Sequence, residues 1–393
     1  MKKDFFAYQA PTTPFAPGLE ISHAKGNYIY DIHGKSYLDC VAGVSALPLG
    51  HCHPAVTTAI KNQVDQYMHV MVYGEYAQKP AIELCKKLAS HMPEPLEMTY
   101  LVNSGTEAIE AAIKLARRVT NRSEIIAMKK AYHGNTMGSL SLMDYEERKA
   151  PFRPLIPQIK HIKFNCFAQL NLITEQTAAV IIETIQGGAG FIMPHKSWIT
   201  ALREKCTQKG ALLILDEIQP GIGRTGCMFY FTQLGIVPDL VVTGKGLAGG
   251  LPIGALTGSA HHMNQFKESP MLGHITTFGG HPVIAAAAHA TLSELEQNGL
   301  IETVKDKEIR FRESLKNKHI LEVRGTGLML AAIVSPEIDT AAIVDECRKR
   351  GVIFFLLLYE KKAIRITPPL TITREEIHTA CKILIDVIEE FHA

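Results

Sequence analysis

The sequence predicts an α/β protein in which a mostly parallel sheet with helices on both faces is joined to a smaller α+β domain. Three observations predict it. The 393 residues exceed what a single hydrophobic core fills, so two domains are expected. Between about Leu101 and Thr257, short β-branched runs alternate with helical patterns, the order of a parallel sheet with crossover helices. After about Ala290 the pattern changes to long helices with few strands.

In chain order, Asn27 to Asp31 and Gly34-Lys35 read as a hairpin, followed by a loop from Gly43 to Pro54. The expected sheet strands are Thr99 to Val102, Glu124 to Met128, Ala179 to Glu183, Leu212 to Asp216, Leu240 to Thr243 and Ile253 to Thr257. Beyond Ala290, strands are expected over Gly351 to Leu358 and Ala363 to Thr367, and the amphipathic stretch Arg374 to Phe391 reads as a closing helix. Residues 46–289 are assigned to the large domain, and residues 1–45 with 290–393 to the small one.

The composition is that of a soluble globule. A formal net charge of +2 gives no reason to expect nucleic acid or another polyanion as a partner. Neither a signal peptide near Met1 to Ala10 nor a later membrane span is legible, so a cytoplasmic protein is expected. The eight cysteines form no CxxC pair, which suits reduced thiols. His51-Cys52-His53 reads as a turn, because adjacent ligands cannot close a tetrahedral site, and no metal is expected.

Three places carry chemistry. The strand ending at Val102 runs into Asn103-Ser104-Gly105-Thr106-Glu107 and then a helix with apolar Ile109, Ala112, Ile113 and Ala116. Ser104 and Glu107 have capping-box spacing, and the helix start offers free N–H groups to a phosphate. An ordinary capped helix fits equally well. The apolar strand Leu212 to Asp216 ends in Asp216-Glu217, beyond the carboxyl end where ligands of parallel sheets lie. A carboxylate there could hold a protonated ring nitrogen or serve only as a salt-bridge partner. Lys245 follows a third apolar strand among Gly244, Gly246, Gly249 and Gly250, where a desolvated amine becomes a nucleophile towards an aldehyde. A surface lysine in a flexible loop is the alternative. Gly221 to Gly226 also matches GxGxxG, but no helical pattern or well-placed acid follows, so it is read as a coincidence.

Together these pieces resemble the class III, ornithine/acetylornithine-aminotransferase-like, family of pyridoxal-phosphate (PLP) enzymes. The specific matches are Ile214 to Gly223, Pro238-Asp239-Leu240 and Thr243-Gly244-Lys245-Gly246. Further matches are Asn103 to Ala108, Ala131-Tyr132-His133-Gly134, Glu183 with Gln186-Gly187, Thr276 to Pro282, and Ile364-Arg365-Ile366-Thr367-Pro368-Pro369. The resemblance implies fold type I with a seven-stranded sheet, and PLP held by Lys245 as a Schiff base. It implies that Ser104, Gly105 and Thr106 bind the phosphate, that Tyr132 stacks on the ring with His133 beside it, and that Ile218 packs on the other face. Asp216 would bond the ring nitrogen, Gln219 the phenolic oxygen, and Glu183 would support them. Thr277 would reach the phosphate of a neighbouring subunit, making a homodimer with shared sites. The implied reaction is ping-pong transfer of an amino group to a 2-oxo acid such as 2-oxoglutarate or pyruvate. PLP decarboxylases and aminomutases share the fold and are the alternative.

Two positions depart from the pattern. Relatives carry an arginine that grips the donor's carboxylate where this chain has Asn135, and a glutamate that masks the family arginine where it has Gly188. Arg365 is therefore expected to stay open in both half-reactions. A donor whose own carboxylate binds Arg365, or an amine with no carboxylate near Asn135, fits these residues better than ornithine.

Overall fold

The computed structural model describes residues 1–391; His392 and Ala393, the end of the expected small domain, lie outside the described residues. Seven strands form the principal sheet, in the order Met98–Val102, Gly254–Gly258, Leu240–Gly244, Leu212–Asp216, Thr177–Glu183, Glu124–Met128 and Ile159–Ile162. Gly254–Gly258 runs antiparallel to both of its neighbours, and the pairs from Leu240–Gly244 to Ile159–Ile162 are parallel. The central strands are buried on both faces, which is why they read as continuous apolar runs. Ile159–Ile162 gave no such signal. It is an edge strand with Lys160 and His161 in its middle.

The register places chemistry along one edge. Glu183 pairs with Asp216, and Asp216 with Val242, so two acids and the residues before Lys245 emerge side by side. Val102 pairs with Gly254, which pairs with Gly244, bringing the start of the helix Gly105–Thr120 to the same edge. That helix buries Ala108, Ile109, Ala112, Ile113 and Ala116 and ends at left-handed Asn121. Its capping box is half made. The Ser104 hydroxyl accepts from the Glu107 N–H at 3.3 Å, but the Glu107 carboxylate accepts from the Asn103 backbone (2.8 Å) and side chain (2.9 Å).

The chain termini build two smaller sheets. The hairpin Tyr28–Asp31 with Ser36–Asp39 forms as expected and adds Ile21–Lys25 on one side and Val352–Ile353 on the other. The second sheet runs Ile320–Thr326, Met329–Val334, Ala363–Ile366, Phe355–Leu356. The single strand expected over Gly351 to Leu358 is thus corrected to two short ones divided at buried Phe354, each serving a different sheet. Arg374–Glu390 closes the fold as a helix with a complete capping box from Thr373 and Glu376.

The Gly221 to Gly226 segment forms turns with no α-helix after it, and Arg224 is buried there as a structural donor to the carbonyls of Leu328 and Pro368. Glu217 points away from Asp216's partners and accepts from the N–H groups of Tyr230 (2.9 Å) and Phe231 (2.8 Å).

Two stability predictions follow from this packing. A Cβ on Gly254 would run into the Ser104 carbonyl oxygen, a backbone atom with no rotamer to yield. Gly254→Ala is expected to cost about 1–3 kcal/mol in urea denaturation, because the helix start must shift. Burial raises the Glu217 carboxyl from 4.5 to about 7, against its backbone hydrogen bonds. The native state then binds this proton more tightly than the unfolded chain, so the group's contribution is full below the unfolded value and is lost as pH rises through the folded one. The melting temperature of wild type relative to Glu217→Gln should therefore fall between pH of about 5 and about 8. A difference that stays flat over this range would contradict the shift.

Candidate active site

Asp216 ends its strand almost fully buried, and both of its oxygens are engaged. Oδ2 lies 2.7 Å from His133 Nδ1, and Oδ1 accepts from the Ile218 N–H at 2.9 Å. Burial works to lower the His133 pKa, but the hydrogen bond and charge of Asp216, with Glu183 behind, outweigh it and hold the imidazole above its ordinary value. Glu183 accepts from the N–H groups of Tyr132 (3.1 Å) and Gly187 (2.8 Å). Burial pushes its carboxyl up to about 7, with His133 opposing and Asp216 adding. Asp216 and His133 thus form a buried hydrogen-bonded pair, with the Glu183 carboxyl acting on it through charge alone.

Lys245 follows Gly244 directly, at a backbone φ of 42°, and its side chain is half-buried. That left-handed geometry is uncommon for a lysine and strains the backbone at this point. Its amine makes no hydrogen bond or ion pair among the described residues. Burial lowers its pKa, the charge of Arg365 lowers it further, and Asp216 and Glu183 act in opposition.

The helix start is shaped by absent side chains. A Cβ on Gly105 would fall 2.7 Å from Ile218 Cδ1, so glycine is what lets Ile218 lie against the first turn. A side chain on Gly134 would strike Thr106, whose hydroxyl contacts those of Thr136 (2.8 Å) and Ser139 (2.6 Å). Glu110 accepts from the Ser139 N–H at 2.9 Å and from the Thr136 hydroxyl. Thr136, Ser139 and Glu110 escaped the sequence reading, because neither spacing nor composition marks them.

Tyr132 is half-buried, and its hydroxyl accepts from exposed Asn135 Nδ2 at 3.1 Å. Gln219 reaches the Ser45 hydroxyl at 3.4 Å. Ser45 ends the stretch Ala42 to Ser45, in which all four residues have positive φ, from 52° to 69°. Only Gly43 adopts such angles without strain, so the turn stores conformational energy beside the Lys245 loop, where a Cβ on Gly246 would approach the Ser45 carbonyl at 3.3 Å.

Arg365 lies in Ala363–Ile366, opposite Ala331 on one side and Phe355 on the other. It is buried, with Nε and Nη1 lacking any hydrogen-bond partner, and its guanidinium sits 5.6 Å from the Phe191 ring centroid. Burial draws its pKa down to about 10. A dry guanidinium without a carboxylate is a receptor for an anion. The space beside Gly188 holds Tyr359: a Cβ there would meet its ring at 3.1 Å, and the Tyr359 hydroxyl donates to the Ala131 carbonyl at 2.8 Å. Phe191 and Tyr359 are further site residues that the sequence did not mark.

Thr277 stands apart from this assembly. It is exposed, makes no hydrogen bond among the described residues, and is flanked by exposed Ile275 and Phe278.

Comparison with known proteins agrees with this geometry. The family model for class-III aminotransferases matches residues 8–388. An acetylornithine aminotransferase of Methanothermobacter thermautotrophicus is 37% identical over 95% of this chain and 94% of its own. That of Corynebacterium efficiens is 37% identical over 96% and 94%. Among solved structures, an ornithine aminotransferase of Toxoplasma gondii, described with PLP in its active site, superposes with a TM-score of 0.91 at 30% identity, covering 100% of this chain and 95% of its own. An adenosylmethionine-8-amino-7-oxononanoate aminotransferase of Methanocaldococcus jannaschii does so with a TM-score of 0.91 at 30% identity, over 99% and 98%. The chain therefore belongs to the class-III aminotransferases, as a PLP-dependent transaminase of fold type I.

Proposed function

We propose that the enzyme moves an amino group from an amino acid or amine to a 2-oxo acid such as 2-oxoglutarate or pyruvate in a ping-pong cycle, with Lys245 and Asp216 as its catalytic residues. One observation carries this reading: an ionisable amine lowered by burial shares a strand edge with a buried acid already oriented by His133 and Ile218. The residues fit the cofactor. The start of Gly105–Thr120, with Ser104, Gly105 and Thr106, would hold its phosphate. Tyr132 and Ile218 would cover its ring faces, Gln219 would reach the phenolic oxygen, and His133 and Glu183 would fix Asp216. When bound, PLP supplies an electrophilic carbonyl carbon and an electron-accepting ring.

Asp216 contributes charge. Its oxygens are each used once, and each retains a lone pair, so one of them can still accept a ring N–H. Lys245 Nζ, made less basic by burial and by Arg365, would take the proton from the substrate carbon that bears the amine. Arg365 would bind a carboxylate, and the exposed Asn135, bonded to the Tyr132 hydroxyl, offers only a neutral amide. A donor that brings its own carboxylate to Arg365 fits best, and ornithine or acetylornithine is the competing donor class from the relatives' names.

The reading extends to a homodimer in which Thr277 reaches into the neighbouring site, and exposed Met271, Leu272, Ile275 and Phe278 around it supply apolar surface for such a contact. It also divides the chain into residues 46–289 and the joined terminal segments. No described helix is long and apolar enough to cross a membrane, and a cytoplasmic location is part of the proposal.

Borohydride reduction of the yellow holoenzyme should fix the cofactor on a peptide containing Lys245, and Lys245→Ala should lower turnover roughly 10²–10⁴-fold. Label on another lysine would refute the assignment. Asp216→Asn should retain cofactor yet lose most activity, since it removes charge but keeps a hydrogen-bonding group. For the dimer, mixing inactive Lys245→Ala chains with inactive Thr277→Ala chains should restore activity, because one site of each hybrid carries neither lesion. A fully active monomer would end the shared-site proposal.

A further inference from the structure

Glu110 lies one turn beyond Thr106 on the helix Gly105–Thr120 and takes no part in the chemistry proposed for Lys245 and Asp216. Its carboxyl turns towards a knot of hydroxyls. Oε1 accepts from the Ser139 N–H at 2.9 Å and from the Thr136 hydroxyl. Thr136 Oγ1 lies 2.8 Å from Thr106 Oγ1 and 2.9 Å from Ser139 Oγ, and Ser139 Oγ lies 2.6 Å from Thr106 Oγ1. Gly138 permits this approach, because a Cβ there would run into Glu110 Oε2. The ordinary use of a helical acid is an ion pair one turn along. Lys114 holds that place, but it donates to the Gly273 carbonyl at 3.2 Å instead.

Each hydroxyl has one proton, and a carboxylate oxygen can only accept. The Thr136 proton is therefore committed to Glu110, and Thr136 Oγ1 faces Thr106 and Ser139 as an acceptor. Thr106 Oγ1 receives from the Thr136 N–H at 3.3 Å and stands close enough to receive from Ser139 Oγ as well. With its acceptor side filled, the Thr106 hydroxyl is left as a donor, and its proton is the one the knot can offer to an anion. Ser139 is fully buried, so without Glu110 its N–H would also lose its acceptor away from water. The same bonds tie the first turn of the helix to the segment that carries Tyr132.

We propose that Glu110 is a positioning residue for the cofactor: through Thr136 and Ser139 it sets the Thr106 hydroxyl as a donor to the phosphate of PLP. The inference rests on the proposed placement of that phosphate at Thr106. Charge alone has the opposite sign. An acid near a phosphate repels it, so removing a carboxyl that acted only by charge would tighten binding, whereas removing an orienting group weakens it.

Titration of the cofactor-free, full-length chain with PLP and with pyridoxal, which lacks the phosphate, tests this by absorbance. Glu110→Ala should weaken PLP about five- to tenfold and leave pyridoxal within about twofold. Glu110→Gln keeps an acceptor oxygen for Thr136 and Ser139 and should stay within about threefold of wild type. Thr136→Val cuts the link while leaving the carboxyl in place, so it should repeat the phosphate-specific loss even where Glu110→Ala does not fold. Thr106→Val should weaken PLP too, and adding Glu110→Ala to it should cost less than about twofold more, because the group it acts through is gone. Tighter PLP binding in Glu110→Ala, equal losses for PLP and pyridoxal, or full additivity with Thr106→Val would overturn the proposal. An unchanged PLP affinity in Thr106→Val would sink the phosphate placement itself. A loss in Thr106→Val that neither Glu110→Ala nor Thr136→Val reproduces would sink only this inference.

Discussion

The buried side chain of Asp216, with each of its oxygens tied by a hydrogen bond, governs the arrangement around it. A buried polar group without partners is costly, and here the fold brings its partners to fixed places. His133 binds one oxygen and the Ile218 N–H the other. Ile218 can take that position only because Gly105 lacks a side chain, and Gly105 begins the helix that would receive the phosphate. The groups proposed for the cofactor's ring and for its phosphate are therefore joined by one continuous set of contacts.

Opposing charges connect the two ends of the reaction. Arg365 lies in a different sheet from the strand that leads into Lys245, yet its positive charge adds to burial in lowering the basicity of the lysine. Arg365 sits between two paired strands, and its guanidinium finds no acid among the described residues.

The sheet was legible where it is most buried. Thr177–Glu183, Leu212–Asp216 and Leu240–Gly244 are covered on both faces, so burial and sequence pattern coincide. Ile159–Ile162 was hidden because an edge strand tolerates Lys160 and His161. The run from Gly351 to Leu358 looked like one strand because both halves are apolar, and only tertiary pairing separates them at Phe354. Within the site, Asp216, Lys245 and the helix start were readable from strand ends and glycines, while their assigned roles came from family resemblance. Glu110, Ser139, Phe191 and Tyr359 reach the site from a helix or from loops through contacts distant in sequence, which no local period encodes. The left-handed Ala42 to Ser45 turn was equally silent, since Gly43 alone signals positive φ.

Gly188 and Tyr359 illustrate how history constrains such a pocket. The phenol ring fills the volume that a side chain at position 188 would need, and its hydroxyl is tied to the Ala131 carbonyl. Neither position is then free to drift alone. A side chain at 188 would press on the Tyr359 ring, which must give by a few tenths of an ångström, whereas a smaller residue at 359 leaves a gap in the wall and a carbonyl without its donor. The two positions are coupled through this packing, so a change at one alters what the other can accommodate.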